Sequence, residues 1–355
     1  SENSIGGDGQ RPLINAAMAG EAKAIAMIAR RAGHPEIAEA FDARSAELVR
    51  KMKDLLWNQE RSFFTVLKDD GEHKNVRELF GYSPWYFGLD MKGYGGAWQY
   101  VMKTDGFLAP CGLANPEISD PGFIVAYRDL TKSGCRRDGP CWPYETSLVL
   151  TALANALQSE QDTANVDANA YFLLLRQYAV AHKLQLDDGR FISWIDENFD
   201  PFSGEWVTRR IYRLKKAASF GRGRYYNHSS FCDLVLSGLC GIRVQPEGTI
   251  DLKPLASKEW DYFRVSNVRV AGREFELVWD RTGKHYERGP GLSLYLDGTC
   301  VERRGLNSTD GGRDETLFKF DTDGERLRFR FEVVDHTVTA VPKPERERDI
   351  EKGDR

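Results

Sequence analysis

The chain is organised around the stretch Trp194–Trp206, WIDENFDPFSGEW, which places acidic side chains between large aromatic rings. The acidic residues are Asp196, Glu197, Asp200 and Glu205, with Asp188 just upstream. The aromatic residues are Trp194, Phe199, Phe202 and Trp206. Because turn formers occur throughout (Asn198, Pro201, Ser203 and Gly204), the stretch is predicted to be an irregular loop. Such carboxylates can transfer protons or stabilise an oxocarbenium-like centre, and the rings can support a sugar face. The alternative is a surface turn flanked by buried aromatic residues.

Helical patterns precede this loop. Leu13–Ala32 is rich in Ala without an interior Pro, and His34–Trp57 repeats the pattern after a break at Gly33. We therefore predict an antiparallel helical hairpin at the start of the chain. Further helices are predicted at Asn75–Leu89, Gly95–Thr104, Tyr144–Leu157, Ala168–Leu184 and His228–Ile242.

Strand patterns follow from Gly248, where the hydrophobic period changes to two in segments such as YFRVSNVRV and GLSLYLDG. About six antiparallel strands are predicted. The predicted fold is mainly α, an (α/α)6-type toroid followed by a C-terminal antiparallel β-sandwich. Seven or eight helices are fewer than the twelve of a complete toroid, so we expect it to be incomplete at its N-terminus. The predicted domains are a catalytic toroid (1–245), a β-sandwich (246–341) and a charged, disordered tail (342–355).

Composition narrows the classes of partner. The net charge of -4 with interspersed signs argues against nucleic acid, and no apolar run is long enough to span a bilayer. The six cysteines form no CxxC pair and no Cys/His cluster with metal spacing. Cys135 and Cys141 could form a disulfide, but free, partly buried thiols are the other interpretation. The acidic loop lacks the ligand spacing of a calcium loop. We therefore predict neither a metal nor a cofactor, and the sequence leaves the oligomeric state open.

The chain begins without Met, so we expect a fragment of a longer protein.

Three other loop segments contain unusual residues. Ser1–Gly9 holds Glu2 beside a glycine pair, and Cys135–Trp142, CRRDGPCW, sets Asp138 between Arg137 and a Gly-Pro turn. Tyr225–Phe231, YYNHSSF, offers Tyr226, Asn227 and His228 at a helix start. The ordinary alternatives are a cap or ion pair for Asp138 and an N-cap for Asn227 or Ser229.

Several long motifs carry a family resemblance. They are RPLINAAMAGEAKAIA, RELFGYSPWYF, GPCWPYETSLVLTALAN, WIDENFDPFSGEW and YNHSSFCDLVLSGLCGI. Together, over about Ser1 to Ile242, they resemble the six-hairpin glycosidases with a mannosylglycerate-hydrolase-like domain. These are related to glycoside hydrolase family 63 and to the β-L-arabinofuranosidase and arabinobiosidase group. The resemblance implies a carbohydrate substrate and favours an extracellular or periplasmic location.

The resemblance also implies roles for particular residues. Glu2 falls at the place of the general acid, with Glu replacing the family's Asp, and Glu197 matches the family's base. Asp138 replaces the Arg of the family's Arg-Gly-Pro-x-Trp stretch and adds a third carboxylate, whose charge would raise the pKa of a neighbouring acid. The predicted catalytic residues are thus Glu2, Asp138 and Glu197. The predicted substrate-binding residues are Trp85, Arg137, Trp142, Trp194, Trp206, Asn227 and His228.

Rival interpretations remain. Asp196 competes with Glu197 for the role of base, because only one of two neighbours in an irregular loop is expected to face the sugar. A polysaccharide lyase would use a Tyr/His/Asn set such as Tyr226, Asn227 and His228, with the basic stretch Arg209–Arg224 around a uronic-acid substrate. A non-catalytic carbohydrate-binding fragment is the third possibility.

Overall fold

The computed structural model describes residues 4–124, 137–210, 230–244, 249–255, 260–270, 273–304, 320–322 and 325–331. Glu2, Tyr226, Asn227, His228 and the predicted tail lie outside the described residues, as does most of the basic stretch. The chain divides into two compact units between Leu234 and Val235.

The first unit begins with the predicted helical hairpin. Helix α1 (Pro12–Arg31) and helix α2 (Pro35–Leu55) each have Pro in the first turn, where its missing N–H costs no hydrogen bond. The buried face of α1 is lined by Ala side chains, which allow close packing of α2. The predicted hairpin is therefore confirmed.

The aromatic segment between residues 75 and 104 forms short helices, as predicted, but each of them is shorter than the predicted range. Two 3₁₀ helices (Leu79–Tyr82 and Gly95–Tyr100) and one α-helical turn, α3 (Ser83–Tyr86), occur there. The aromatic rings of this segment pack in the core. Tyr82, for example, stacks on Trp98 with ring centroids 4.4 Å apart. Ring packing and the glycines of this segment thus override the helical pattern.

Two longer helices and two small hairpins complete the regular structure described in the first unit. Helix α4 (Pro143–Gln158) agrees with its prediction. Helix α5 (Ala168–Ala181) is preceded by its N-cap Asp167, whose carboxylate accepts the Ala170 N–H at 3.0 Å. α5 ends three residues earlier than predicted, because the chain then enters a strand. The antiparallel pairs are β1–β2 and β3–β4, with β1 Trp57–Asn58, β2 Phe63–Phe64, β3 Lys183–Gln185 and β4 Phe191–Ser193.

The predicted helix His228–Ile242 is only partly present. A short helix (Ser230–Asp233) continues as a π-helix (Leu234–Leu239), and Gly241 then adopts a φ of +70°. This left-handed residue turns the chain into strand β5, so the helix cannot reach Ile242.

Among its described residues the second unit contains eight strands, whereas about six were predicted from Gly248, and the first strand lies before that point. They are β5 Ile242–Val244, β6 Thr249–Leu252, β7 Tyr262–Val270, β8 Arg273–Asp280, β9 Gly291–Leu296, β10 Thr299–Arg304, β11 Phe320–Thr322 and β12 Glu325–Phe331. One sheet has the order β10-β9-β8-β7 and is antiparallel throughout. The other has the order β11-β12-β6-β5, and its β12–β6 pair is parallel, which the antiparallel prediction did not include. Alternate side chains such as Phe263, Leu277 and Leu294 form the core of this unit.

The coarse prediction is confirmed: a helix-rich first unit is followed by a mostly antiparallel β unit. Within the described ranges, no helix combines the length and the apolar character that a membrane span requires.

Candidate active site

The acidic loop is irregular, as its turn formers predict. Phe199 pairs with Trp206 in an isolated bridge, and the Asp200 carboxylate accepts hydrogen bonds from the N–H groups of Phe202 (2.8 Å) and Ser203 (3.0 Å). Asp200 therefore closes a turn. Its carboxylate is therefore engaged in hydrogen bonds within the loop itself.

The neighbours Asp196 and Glu197 have different environments. Asp196 is fully buried, and its Oδ2 lies 2.8 Å from Nε of Arg209, which is also buried. Its other oxygen accepts the backbone N–H of Glu197 at 2.9 Å. Glu197 is only half-buried. Asp196 thus fixes the loop, whereas Glu197 keeps access to solvent.

Backbone pairing brings three of the four unusual loops together. Cys141 and Phe199 exchange two hydrogen bonds, of 2.9 and 3.0 Å, which join the Asp138 loop to the acidic loop. Ser4 forms a parallel bridge with Arg137, so the N-terminal loop runs beside the same segment. Glu2 is two residues before Ser4 in the chain.

The fourth segment reaches this region through its last residue. The Phe231 ring lies 5.2 Å from the His182 ring, and the carbonyl of His182 accepts the N–H of Trp194 at 3.1 Å. Asn227 and His228 precede Phe231 but lie outside the described residues.

Asp138 is buried, with 7% of its surface exposed, and its backbone carbonyl accepts the N–H of Ile124 at 2.7 Å. Asp138 lies three positions before Cys141, which pairs with the acidic loop, and its role as a third acid stays a prediction.

Glu145 is a buried acid that the sequence analysis did not include. It lies in the first turn of α4, is fully buried and forms an ion pair with Arg137. Burial raises the pKa of Glu145 to about 7, although the adjacent guanidinium of Arg137 lowers it. The signal available in the sequence was a single acid at the start of an otherwise apolar helix.

Arg137 is held on several sides. Its guanidinium lies over the rings of Trp142 (4.2 Å) and Phe80 (5.2 Å), and its carbonyl accepts a hydrogen bond from Asn115 at 3.2 Å. With Glu145 as its ionic partner, Arg137 is a fixed cation beside Asp138.

A cavity of about 320 Å³ adjoins Arg137. It combines polar groups from Arg11, Glu78, Arg137 and Tyr144 with apolar walls such as Phe64 and Val76. Glu78, a second acid that the sequence analysis missed, accepts hydrogen bonds from the Ser4 hydroxyl and from the Gly6 N–H, the latter at 3.0 Å. Glu78 thereby anchors the loop that follows Glu2. The cavity size lies at the lower end of small-molecule sites.

The four tryptophans predicted as sugar platforms are all buried. Each ring already packs against protein: Trp85 against Trp98 and Tyr82, Trp142 against Arg137, Trp194 against Arg209 and Trp206 against Phe199. Their exposures of 0 to 5% leave no open ring face. These rings pack in the core of the described structure, and their role as sugar platforms stays a prediction.

The two described residues of the basic stretch, Arg209 and Arg210, each pair with an acid of the acidic loop. Arg209 is buried against Asp196, and its exposure is 3%. This pairing removes one of the cations that the lyase interpretation requires. Among the residues described, no group of three or more His, Cys, Asp or Glu side chains is arranged to hold a metal ion.

Comparison with known proteins identifies a family whose model matches this chain. Residues 3–229 match the family model of the mannosylglycerate hydrolase MGH1-like glycoside hydrolase domain. A solved structure described as a sialidase is similar at 33% identity with a TM-score of 0.74, over 85% of this chain and 27% of that one. The mannosylglycerate hydrolase of Thermus thermophilus, a GH63 enzyme, shares 18% identity over 64% of this chain and 47% of its own, with a TM-score of 0.42. The chain thus spans about a quarter of the first protein and just under half of the second.

Proposed function

Because this chain belongs to the mannosylglycerate hydrolase MGH1-like glycoside hydrolase family, we propose that it hydrolyses glycosidic bonds with carboxylate side chains as acid and base. The substrate class is carbohydrate. The names of the two similar structures state different enzymatic activities, so membership of the family does not identify which sugar this chain hydrolyses.

The observation that carries the proposal is the half-buried Glu197 on a rigid loop. The Asp196–Arg209 ion pair beneath it and the Cys141–Phe199 hydrogen bonds beside it fix the backbone from both sides. A catalytic carboxylate needs such a fixed position together with access to the substrate. In the proposed mechanism Glu197 activates a water or attacks the anomeric carbon.

Glu2 and Asp138 are the proposed partners of Glu197. Glu2 would donate the proton to the leaving oxygen, and its loop is held by Glu78 and by the Ser4–Arg137 bridge. Asp138 would supply a charge that keeps a neighbouring acid protonated, and Arg137 opposes that effect. Asn227 and His228 remain proposed contacts to the sugar.

The architecture is part of the proposal. The α1–α2 hairpin and the α4 and α5 helices are consistent with an (α/α)6 toroid, of which 1–245 would form part. A β-sandwich at 246–341 and a tail at 342–355 would follow.

The test is a screen of aryl glycosides, followed by the Glu197→Gln variant on the substrate found. Gln keeps the shape of Glu but cannot accept a proton or attack as a carboxylate. Turnover should fall by about 10²–10⁴-fold, the usual contribution of general acid–base catalysis. Added azide should rescue part of the activity if Glu197 is the base or nucleophile.

Glu205→Gln is the matched control, because Glu205 lies in the same loop at a similar exposure. Its turnover should be close to that of the wild type. Near-normal turnover of Glu197→Gln, with a folded protein by circular dichroism, would remove Glu197 from the mechanism.

A further inference from the structure

An aromatic cluster lies on the outer face of the β10-β9-β8-β7 sheet in the second unit. Along β7, Phe263 points into the core, while its neighbours Tyr262 and Arg264 point outward. Tyr262 is 44% exposed, although it is a large ring on a sheet surface. His285, in the connection between β8 and β9, is also exposed.

The three rings of this cluster have a defined geometry. Tyr262 and His285 stack face to face, with centroids 3.4 Å apart and planes 7° from parallel. The Tyr286 ring stands perpendicular to both, at 5.8 Å from Tyr262 and 4.6 Å from His285. The two stacked rings cover one face of each other, both residues are exposed, and the Tyr286 ring stands at their edge.

The cluster is ordered by a buried carboxylate. Asp280, 1% exposed, accepts hydrogen bonds from the N–H groups of Gly283 (2.8 Å), His285 (2.9 Å) and Tyr286 (2.9 Å). Burial raises the pKa of Asp280, but these hydrogen bonds outweigh that effect and leave the pKa below its ordinary value. Because the loop is fixed beforehand, a ligand would not have to order it.

Charged hydrogen-bonding groups lie beside the rings. Arg264 and Arg288 both contact Oε1 of Glu276, Arg288 at 3.0 Å, and Arg281 pairs with Asp261 next to Tyr262. Sugars present apolar C–H faces together with hydroxyl donors and acceptors, so a ring surface edged by guanidinium and carboxylate groups suits them. Nucleic acid would also stack on such rings, but both signs of charge are present here and the chain carries a net charge of -4.

We propose that Tyr262, His285 and Tyr286 form a carbohydrate-binding platform in the second unit, separate from the candidate active site. Its ligand would be a polysaccharide chain whose sugar ring stacks on the exposed aromatic face. The choice of carbohydrate rests on the proposed function, whereas the binding itself does not require hydrolysis.

The test is affinity electrophoresis of the full chain in gels that contain one soluble polysaccharide each: arabinan, arabinoxylan, mixed-linkage β-glucan or polygalacturonate. At least one gel should retard the wild-type chain. Tyr262→Ala and His285→Ala should weaken that binding roughly tenfold or more, as for other aromatic anchors of binding surfaces. Tyr262→Phe keeps the ring and should keep the binding. Glu197→Gln should be retarded by the polysaccharide like the wild type. This variant therefore distinguishes a loss of hydrolysis from a loss of polysaccharide binding.

Phe191→Ala is the matched control, since Phe191 is an aromatic residue of the first unit with 57% exposure. It should leave the retardation unchanged. Retardation by no polysaccharide, equal retardation of His285→Ala and the wild type, or retardation by single-stranded DNA alone would overturn the proposal. If Tyr262→Ala does not fold, His285→Ala decides, because its side chain lies in an exposed loop outside the core.

Discussion

Replacing Asp196 by Asn should destabilise the first unit strongly, whereas the same type of change at the adjacent Glu197 should not. Asp196 and Arg209 are 0% and 3% exposed, and their atoms Oδ2 and Nε are 2.8 Å apart. Asn retains the acceptor for the Glu197 N–H but removes the charge that balances the buried guanidinium. Removing one partner of a buried ion pair costs about 3–5 kcal/mol, because the other charge stays buried without compensation.

Glu197→Gln should destabilise the first unit less than Asp196→Asn does, since Glu197 is half-buried and lies outside that ion pair. Urea unfolding measures both variants, with the helical signal in circular dichroism as the probe, because the long helices lie in the first unit. The double variant Asp196→Asn/Arg209→Met removes both charges. Its loss should be smaller than the sum of the two single losses, which identifies the coupling.

An Asp196→Asn variant whose free energy of unfolding lies within about 0.5 kcal/mol of the wild type, the range of ordinary surface substitutions, would refute the structural role of this ion pair. A larger loss for Glu197→Gln than for Asp196→Asn would reverse the assignment. In that case Glu197 would be the structural carboxylate and Asp196 the candidate base.

Two further predictions concern Glu145 and Gly81. Because the pKa of Glu145 is raised to about 7, the folded chain binds more protons than the unfolded chain between its ordinary value of 4.5 and about 7. Stability should therefore fall as pH rises through this interval, by at most roughly 3 kcal/mol, and Glu145→Gln should flatten this dependence in urea unfolding at several pH values. An unchanged slope would contradict the raised pKa. Gly81→Ala should lower stability by about 1–3 kcal/mol or more, because the new methyl would collide with the Phe63 ring and lie 2.7 Å from the Phe64 carbonyl oxygen. Gly96→Ala, where the methyl meets nothing within 4 Å, is the control for the same urea assay and should be nearly neutral.

The sequence by itself determined the features that depend on local chemistry. Pro and Gly set the limits of the α1–α2 hairpin, the apolar repeat located α4, and turn formers kept residues 194–206 irregular. The change of hydrophobic period located the β unit. These signals are local because helix, strand and turn preferences arise within a few residues.

Only the tertiary structure decided which side chains are paired, buried or accessible. Asp196 and Glu197 are neighbours with the same charge, and an irregular loop has no period that assigns one of them to the interior. The distinction arises from Arg209, thirteen positions away from Asp196. The parallel β12–β6 pair depends in the same way on strands far apart in the chain. Burial and charge compensation depend on contacts between residues far apart in the chain. Local sequence patterns do not specify which distant residue makes each contact.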